Sequence, residues 1–78
     1  MILKLNYFGM IAETIGKETE SINFSEKTIE DLDRYLKTVY IKLNELNYNF
    51  AVNQTMVESN KILNENDEIA LLPPFAGG

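Results

Sequence analysis

The chain has 78 residues, a formal net charge of −5, 45% hydrophobic and 24% charged residues, and neither cysteine nor histidine. That bounds it to one small soluble domain with a thin core, and it excludes disulfides, thiolate chemistry, thiol-based metal sites and Ser-His-Asp or Cys-His catalysis. The acidic balance argues against nucleic-acid binding, which rests on neutralising phosphates, and would suit a partner with a basic docking surface.

No apolar run approaches the roughly 20 residues that span a bilayer. Met1-Ile2-Leu3-Lys4 has no basic region before a long apolar stretch, so no signal peptide is expected and a cytoplasmic location is the default. Among ionisable groups the chain is rich mainly in carboxylates.

In chain order, Ile2 to Phe8 reads as a strand, with Leu3, Leu5 and Tyr7 on one face and Lys4 and Asn6 on the other. Gly9 to Gly16 reads as a short helix or turn in which Ile11 and Ile15 share a face and Gly16 is the stop. Lys17 to Phe24 reads as a second strand, with Ile22 and Phe24 on one face. Strand, short connection, strand predicts an antiparallel pair. Thr28 opens the clearest helix, with Asp31 three residues on in a capping-box-like pattern. Its apolar stripe is Ile29, Leu32, Leu36, Val39 and Leu43, and Glu30–Arg34 and Asp33–Lys37 are favourable four-apart pairs. The stripe is too short for a coiled coil and predicts packing on a sheet, the helix fading near Asn44.

The stretch Asn44 to Asn49 reads as loop. Phe50 to Asn53 and Thr55 to Val57 read as two short strands, with a turn at Glu58-Ser59-Asn60. Ile62 and Leu63 are expected as satellites of the core. Asn64 to Asp67 reads as a solvated turn; its clustered oxygens resemble a calcium loop, but the glycine and spacing that define one are missing. Glu68 to Leu72 is the last strand. The order predicts a two-layer α+β domain, with one main helix on one face of a sheet of four to five strands.

Beyond that strand lies Pro73-Pro74-Phe75-Ala76-Gly77-Gly78, and nothing from Ile69 to Gly78 carries a side-chain charge. Two prolines cannot continue a central strand; they stiffen the chain and aim it away from the body. Phe75 is a large apolar side chain past the last strand. Gly77 and Gly78 have no side chain to collide with the walls of a narrow channel. A frayed terminus is the alternative, but such ends tend to be polar. Residues 73–78 are therefore expected to form a flexible tail projecting from a single domain, with the carboxylate of Gly78 as its reactive group.

Strand parity gives one more expectation. Lys4 and Asn6 mark the even positions of the first strand as solvent-facing, which places Phe8 there; Glu68 does the same for Leu72 on the last strand. With Met56 these would form an exposed apolar patch away from the helix, and several apolar side chains together mark a partner site more often than single ones do.

Three stretches, Ala51-Val52-Asn53-Gln54, Asp67-Glu68-Ile69-Ala70 and Pro73-Pro74-Phe75-Ala76-Gly77-Gly78, carry a resemblance to the ubiquitin-like β-grasp sulfur carriers, most closely to small subunits of molybdopterin synthase. Asn66 stands where glycine is common in that family. The Gly-Gly ending alone is shared with ubiquitin-like modifiers and with the sulfur carrier of thiamin synthesis; the preceding Pro-Pro favours molybdopterin synthase. The resemblance implies a mixed β-grasp sheet and a chain that is not catalytic alone and binds no cofactor of its own. It implies that an ATP-using, ubiquitin-activating-like adenylyltransferase adenylates Gly78 and that a sulfur donor converts the adenylate to a thiocarboxylate. The tail (Pro73, Pro74, Phe75, Ala76, Gly77) then threads into the large subunit, where the sulfur builds the dithiolene from cyclic pyranopterin monophosphate. It further implies a heterotetramer of two small and two large subunits, whose large subunit the patch of Phe8, Met56 and Leu72 read from strand parity would dock. The rival expectations are the thiamin-pathway carrier, a modifier that conjugates to lysines through Gly78, and a plain interaction domain with an inert tail.

Overall fold

Alternation of apolar and polar residues sets the sheet. In the computed structural model, which describes residues 1–74, Leu3, Leu5 and Tyr7 of β1 (Ile2–Tyr7) are buried while Ile2 and Lys4 are exposed. Strand β2 (Thr19–Asn23) pairs antiparallel with β1, as its short connection predicts. Strand β5 (Glu68–Leu72) pairs parallel with β1 on the other side, placing Leu71 opposite Tyr7. Strand β3 (Asn49–Val52) runs antiparallel to β5, and β4 (Thr55–Val57) antiparallel to β3. The mixed five-stranded sheet has the order β2-β1-β5-β3-β4, so the last strand of the sequence lies at its centre.

Two turns use left-handed backbone without glycine. Asn53 and Gln54 join β3 to β4 with φ of 49° and 72°, the positive pair that matches the twist of a two-residue hairpin. Asn53 is held there by its side chain, which donates to Asp67 Oδ1 at 2.9 Å and accepts from Glu68 N at 3.0 Å. Asn66 has φ of 67°, a region asparagine tolerates better than most residues. The turn before β5 is less solvated than its composition predicts. Asp67 is buried, and its carboxylate accepts from Asn64 N (2.8 Å) and Asn53 Nδ2.

The first helix, α1 (Gly9–Ile15), ends as expected at Gly16, whose φ of 89° lets its N–H reach Ala12 O. The second, α2 (Ile29–Val39), starts at Thr28 with a complete capping box: Thr28 Oγ1 accepts from Asp31 N (3.2 Å), and Asp31 Oδ2 accepts from Thr28 N (3.1 Å). Both expected four-apart ion pairs form. Ile29, Leu32 and Leu36 lie in one core with Leu3, Leu5, Ile69 and Leu71 from the sheet.

Two expectations fail in this layer. Helix α2 stops at Val39 rather than near Asn44, and Val39 is 50% exposed. The run Val39-Tyr40-Ile41 combines β-branched and aromatic residues that lose rotamer freedom in a helix. Tyr40 leaves helical geometry (φ −116°, ψ 81°) and turns its ring edge-on to Tyr7. A 3-10 turn over Ile41–Glu45 then returns Leu43 to the core. Ile62 is 62% exposed: it bridges to Thr28 on an extended stretch, so only its neighbour Leu63 faces inward.

Candidate functional site

Because β5 runs parallel to β1, the end of the last strand emerges beside the end of the first. Phe8 N–H closes this junction on Leu71 O at 3.3 Å. The chain then enters α1 through Gly9, whose φ is +57°; a Cβ built there would lie 3.0 Å from Pro73 Cγ. Glycine at position 9 thus meets two needs at once: a left-handed backbone, and close approach by the first proline of the tail. Sequence reasoning missed this seat. The available signal was a glycine opening a helix, where it has no intrinsic advantage. Pro74 follows and is exposed. Phe75, Ala76, Gly77 and Gly78 lie outside the described residues.

The sheet face away from α2 can be read from the strand registers. One row runs Asn6, Ala70, Ala51, Met56 across β1, β5, β3 and β4. The next row towards the tail holds Leu72 opposite Asn49, with Phe8 beside Leu72, since Tyr7 lies opposite Leu71 and the extended backbone of Phe8 continues the alternation. Phe8 is 46% exposed, Met56 50% exposed and Leu72 half-buried. The expected trio therefore shares one face. Phe8 and Leu72 are neighbours, while Met56 lies two strands beyond β5, roughly 10 Å away. Between them lie Ala70, half-buried, and Ala51, which is only 5% exposed. Parity places Ala70 outward just as it does Leu72; Ala51 requires the register with β5. Met10, in the first turn of α1, is also exposed. Among the strand residues of this face only Lys4 and Glu68 are charged, and they are register partners two rows from Phe8.

On the opposite side of β1 the launch point is braced by polar bonds that the sequence did not reveal. Glu20 on β2 accepts hydrogen bonds from Tyr7 OH (2.5 Å) and Tyr40 OH (2.7 Å), with Lys17 Nζ 3.4 Å away. Burial alone would raise the Glu20 carboxyl, but the two tyrosine hydroxyls and the Lys17 charge together hold it below its ordinary value. The Tyr7 hydroxyl is pushed up by burial and then by its bond to Glu20. One carboxylate thereby ties β2, β1 and the end of α2 together behind the tail junction. Among the described residues no cluster of acidic side chains could hold a metal ion, and no helix is long and apolar enough to cross a membrane.

With this arrangement in view, similarity to known proteins becomes informative. The profile of the ThiS family matches residues 5–78. The chain belongs to the ThiS family. The molybdopterin synthase sulfur carrier subunit of Dictyostelium discoideum is 36% identical over 82 residues, spanning 96% of this chain and 94% of that protein. A Pyrococcus furiosus chain assigned as molybdopterin converting factor subunit 1 superposes with a TM-score of 0.90 at 24% identity, over 96% of this chain and 99% of its own. It establishes the ubiquitin-like β-grasp fold that the sequence resemblance implied. A Helicobacter pylori structure of the complex of subunits 1 and 2 of molybdopterin-converting factor matches over 100% of both chains, with 27% identity and a TM-score of 0.69. As a ThiS family member the chain combines the family's fold with the Gly9–Pro73 seat and the apolar outer face described above.

Proposed function

We propose that this chain is the sulfur carrier of a molybdopterin synthase and that Gly78 bears the sulfur. The observation that carries the reading is the 36% identity, across nearly the whole of both chains, to the Dictyostelium discoideum sulfur carrier subunit. The geometry supports it: the central strand ends without charge and hands over to Pro73 on a glycine seat, beside the half-buried Leu72 and the 46% exposed Phe8. A bare carboxylate is a poor acyl donor. Attack of the Gly78 carboxylate on ATP, bound by a separate adenylyltransferase, would release pyrophosphate and leave an acyl adenylate. A sulfur donor would displace AMP from it and leave a thiocarboxylate. Transfer of that sulfur to cyclic pyranopterin monophosphate builds the dithiolene, two charged carriers serving one pterin, in an assembly of two small and two large subunits.

In this reading Phe8, Leu72 and Met56 dock the large subunit, in keeping with the subunit 1–subunit 2 complex of the Helicobacter pylori protein. Pro73, Pro74, Phe75, Ala76 and Gly77 deliver Gly78 into the partner's active site. The acid–base groups are the partner's, since this chain has no histidine or cysteine to supply them. The test is the intact mass of the protein after incubation with adenylyltransferase, ATP and a sulfur donor, followed by addition of large subunit and pterin. Replacement of one oxygen by sulfur at Gly78, discharged on adding the pterin, is the expected result. Isopeptide conjugates on lysines, or an exchange that persists after Gly78 is removed, would overturn it. Discharge only to a thiazole precursor would move the chain to the thiamin pathway.

A further inference from the structure

A groove of about 290 Å³ separates α2 from the β3–β4 hairpin, away from the tail junction. Its floor is apolar: Phe50 is buried, and Leu46 and Val57 are half-buried against the core. Its rim carries three carboxylates, Glu30, Asp33 and Glu58, and one ammonium, Lys37, with the Arg34 guanidinium 3.3 Å from Glu30, so the balance stays one negative charge, carried by Glu58. Asp33 already holds that ammonium at 3.2 Å and accepts from Tyr48 OH at 2.5 Å. The Glu58 carboxylate has no ion-pair partner among the described residues. An apolar floor under a net-negative rim selects for a side chain that is aliphatic along its stem and cationic at its head.

We propose that this groove receives an arginine side chain from an extended segment of a partner protein that lies along the β4 edge. Strand β4 ends the sheet, so its outer edge has no pairing strand among the described residues. Met56 and Val57 are successive residues on it and face opposite sides, so the groove lies directly around that edge from the apolar outer face. A partner seated on Met56 needs to turn only one strand edge to reach it. The arginine methylenes cover Phe50 and Val57, and the planar guanidinium donates to the Glu58 carboxylate, which has no ion-pair partner among the described residues. Nucleic acid and other polyanions are disfavoured by the same carboxylates. The assignment holds whether or not the partner is a molybdopterin synthase subunit.

The test uses the full chain, 15N-labelled, titrated with the acetylated and amidated peptide Leu-Arg-Val-Arg-Leu. Its counterpart carries citrulline at both arginines, keeping the shape and removing the charge. Saturable amide shifts centred on Tyr48, Val57 and Glu58, at least tenfold weaker binding of the citrulline peptide, and loss of the shifts in Glu58→Lys with an otherwise unchanged spectrum are the expected results. Equal binding of the two peptides overturns the proposal, as do shifts centred on Ala70 and Leu72 or spread over the other acidic surfaces. So do unchanged binding by a folded Glu58→Lys and absence of saturable shifts at millimolar peptide. Glu58→Gln, which keeps the shape of the rim, serves as the second variant and should weaken binding several-fold.

Discussion

Replacing Glu20 by alanine should be among the most damaging single changes outside the apolar core. The substitution removes two hydrogen bonds to a carboxylate whose side chain is only 17% exposed. Tyr40 is half-buried and can turn its hydroxyl to water, so its share of the loss is small. Tyr7 is 2% exposed, and an orphaned hydroxyl there costs about 1–3 kcal/mol. With the small Tyr40 term the total is about 2–3 kcal/mol, which for a domain of this size lowers Tm by roughly 8–24 °C. Urea denaturation followed by far-UV circular dichroism measures it, and a double-mutant cycle with Tyr7→Phe assigns it. In the native background Tyr7→Phe should cost about 1 kcal/mol; in the Glu20→Ala background it should cost nothing or stabilise, because it removes the orphaned hydroxyl. Equal costs in both backgrounds, within about 0.5 kcal/mol, would refute the coupling. The pH dependence has a fixed sign. Because the folded carboxyl is held below its ordinary value of 4.5, its contribution is fully present above that value and is lost as pH falls through the folded pKa. Glu20→Gln should therefore flatten part of the acid limb of the stability curve.

Three further outcomes follow from the same structure. Thr28→Ala removes the hydroxyl that caps α2 and should cost about 1 kcal/mol by denaturation, with Thr28→Ser close to neutral. Burial first, and then bonds to Glu20 and Asp33, raise the hydroxyls of Tyr7 and Tyr48 above their ordinary 10.0, so their contribution is present below pH 10 and is lost as pH rises above it. The share of the tyrosinate absorbance near 295 nm that comes from these two, of the chain's four tyrosines, should accordingly appear together with unfolding rather than before it. On the proposed function, Phe8→Lys and Leu72→Lys should each weaken binding of a molybdopterin synthase large subunit by about 2 kcal/mol, or roughly thirtyfold, in titration calorimetry with folding preserved; unchanged affinity in both would place the proposed interface elsewhere.

The parts of this molecule that were legible in its sequence are those governed by short-range rules. Alternation in Ile2–Tyr7 and Glu68–Leu72 placed the core side of each strand and the outward side of Phe8 and Leu72. The spacing of Thr28 and Asp31 announced the cap, and Gly16 announced the end of α1. In each failure a partner remote in sequence takes part. Val39 satisfies the helical period of the stripe, yet Tyr40 takes the inward position because Tyr7 and Glu20, 33 and 20 residues earlier in the chain, offer it a ring and a carboxylate. Asp67 reads as a turn residue until Asn53 is brought against it by the β3–β5 register. The Gly9–Pro73 contact joins residues from opposite ends of the chain and exists only because β1 and β5 are parallel neighbours.

The register also changes what the net charge means. An acidic chain invites the expectation of a basic docking surface, but the outer face nearest the tail is built from Phe8, Leu72, Ala70, Ala51 and Met56, and its two charged strand residues, Lys4 and Glu68, lie opposite one another at the far end. Along α2 and beside the β4 edge lie Glu30, Asp31, Asp33 and Glu58, the first three paired with Arg34 or Lys37 and Glu58 without an ion-pair partner among the described residues. The two surfaces therefore act over different ranges. Charge of one sign acts over a Debye length, about 8–10 Å at moderate salt, and orients an approaching basic segment. Apolar contact acts only once water is expelled and gives the closed complex its lifetime. A partner that wraps the β4 edge would meet the steering charge on one side of the strand and the apolar face on the other, with Pro73 seated against Gly9 at the end of the two central strands.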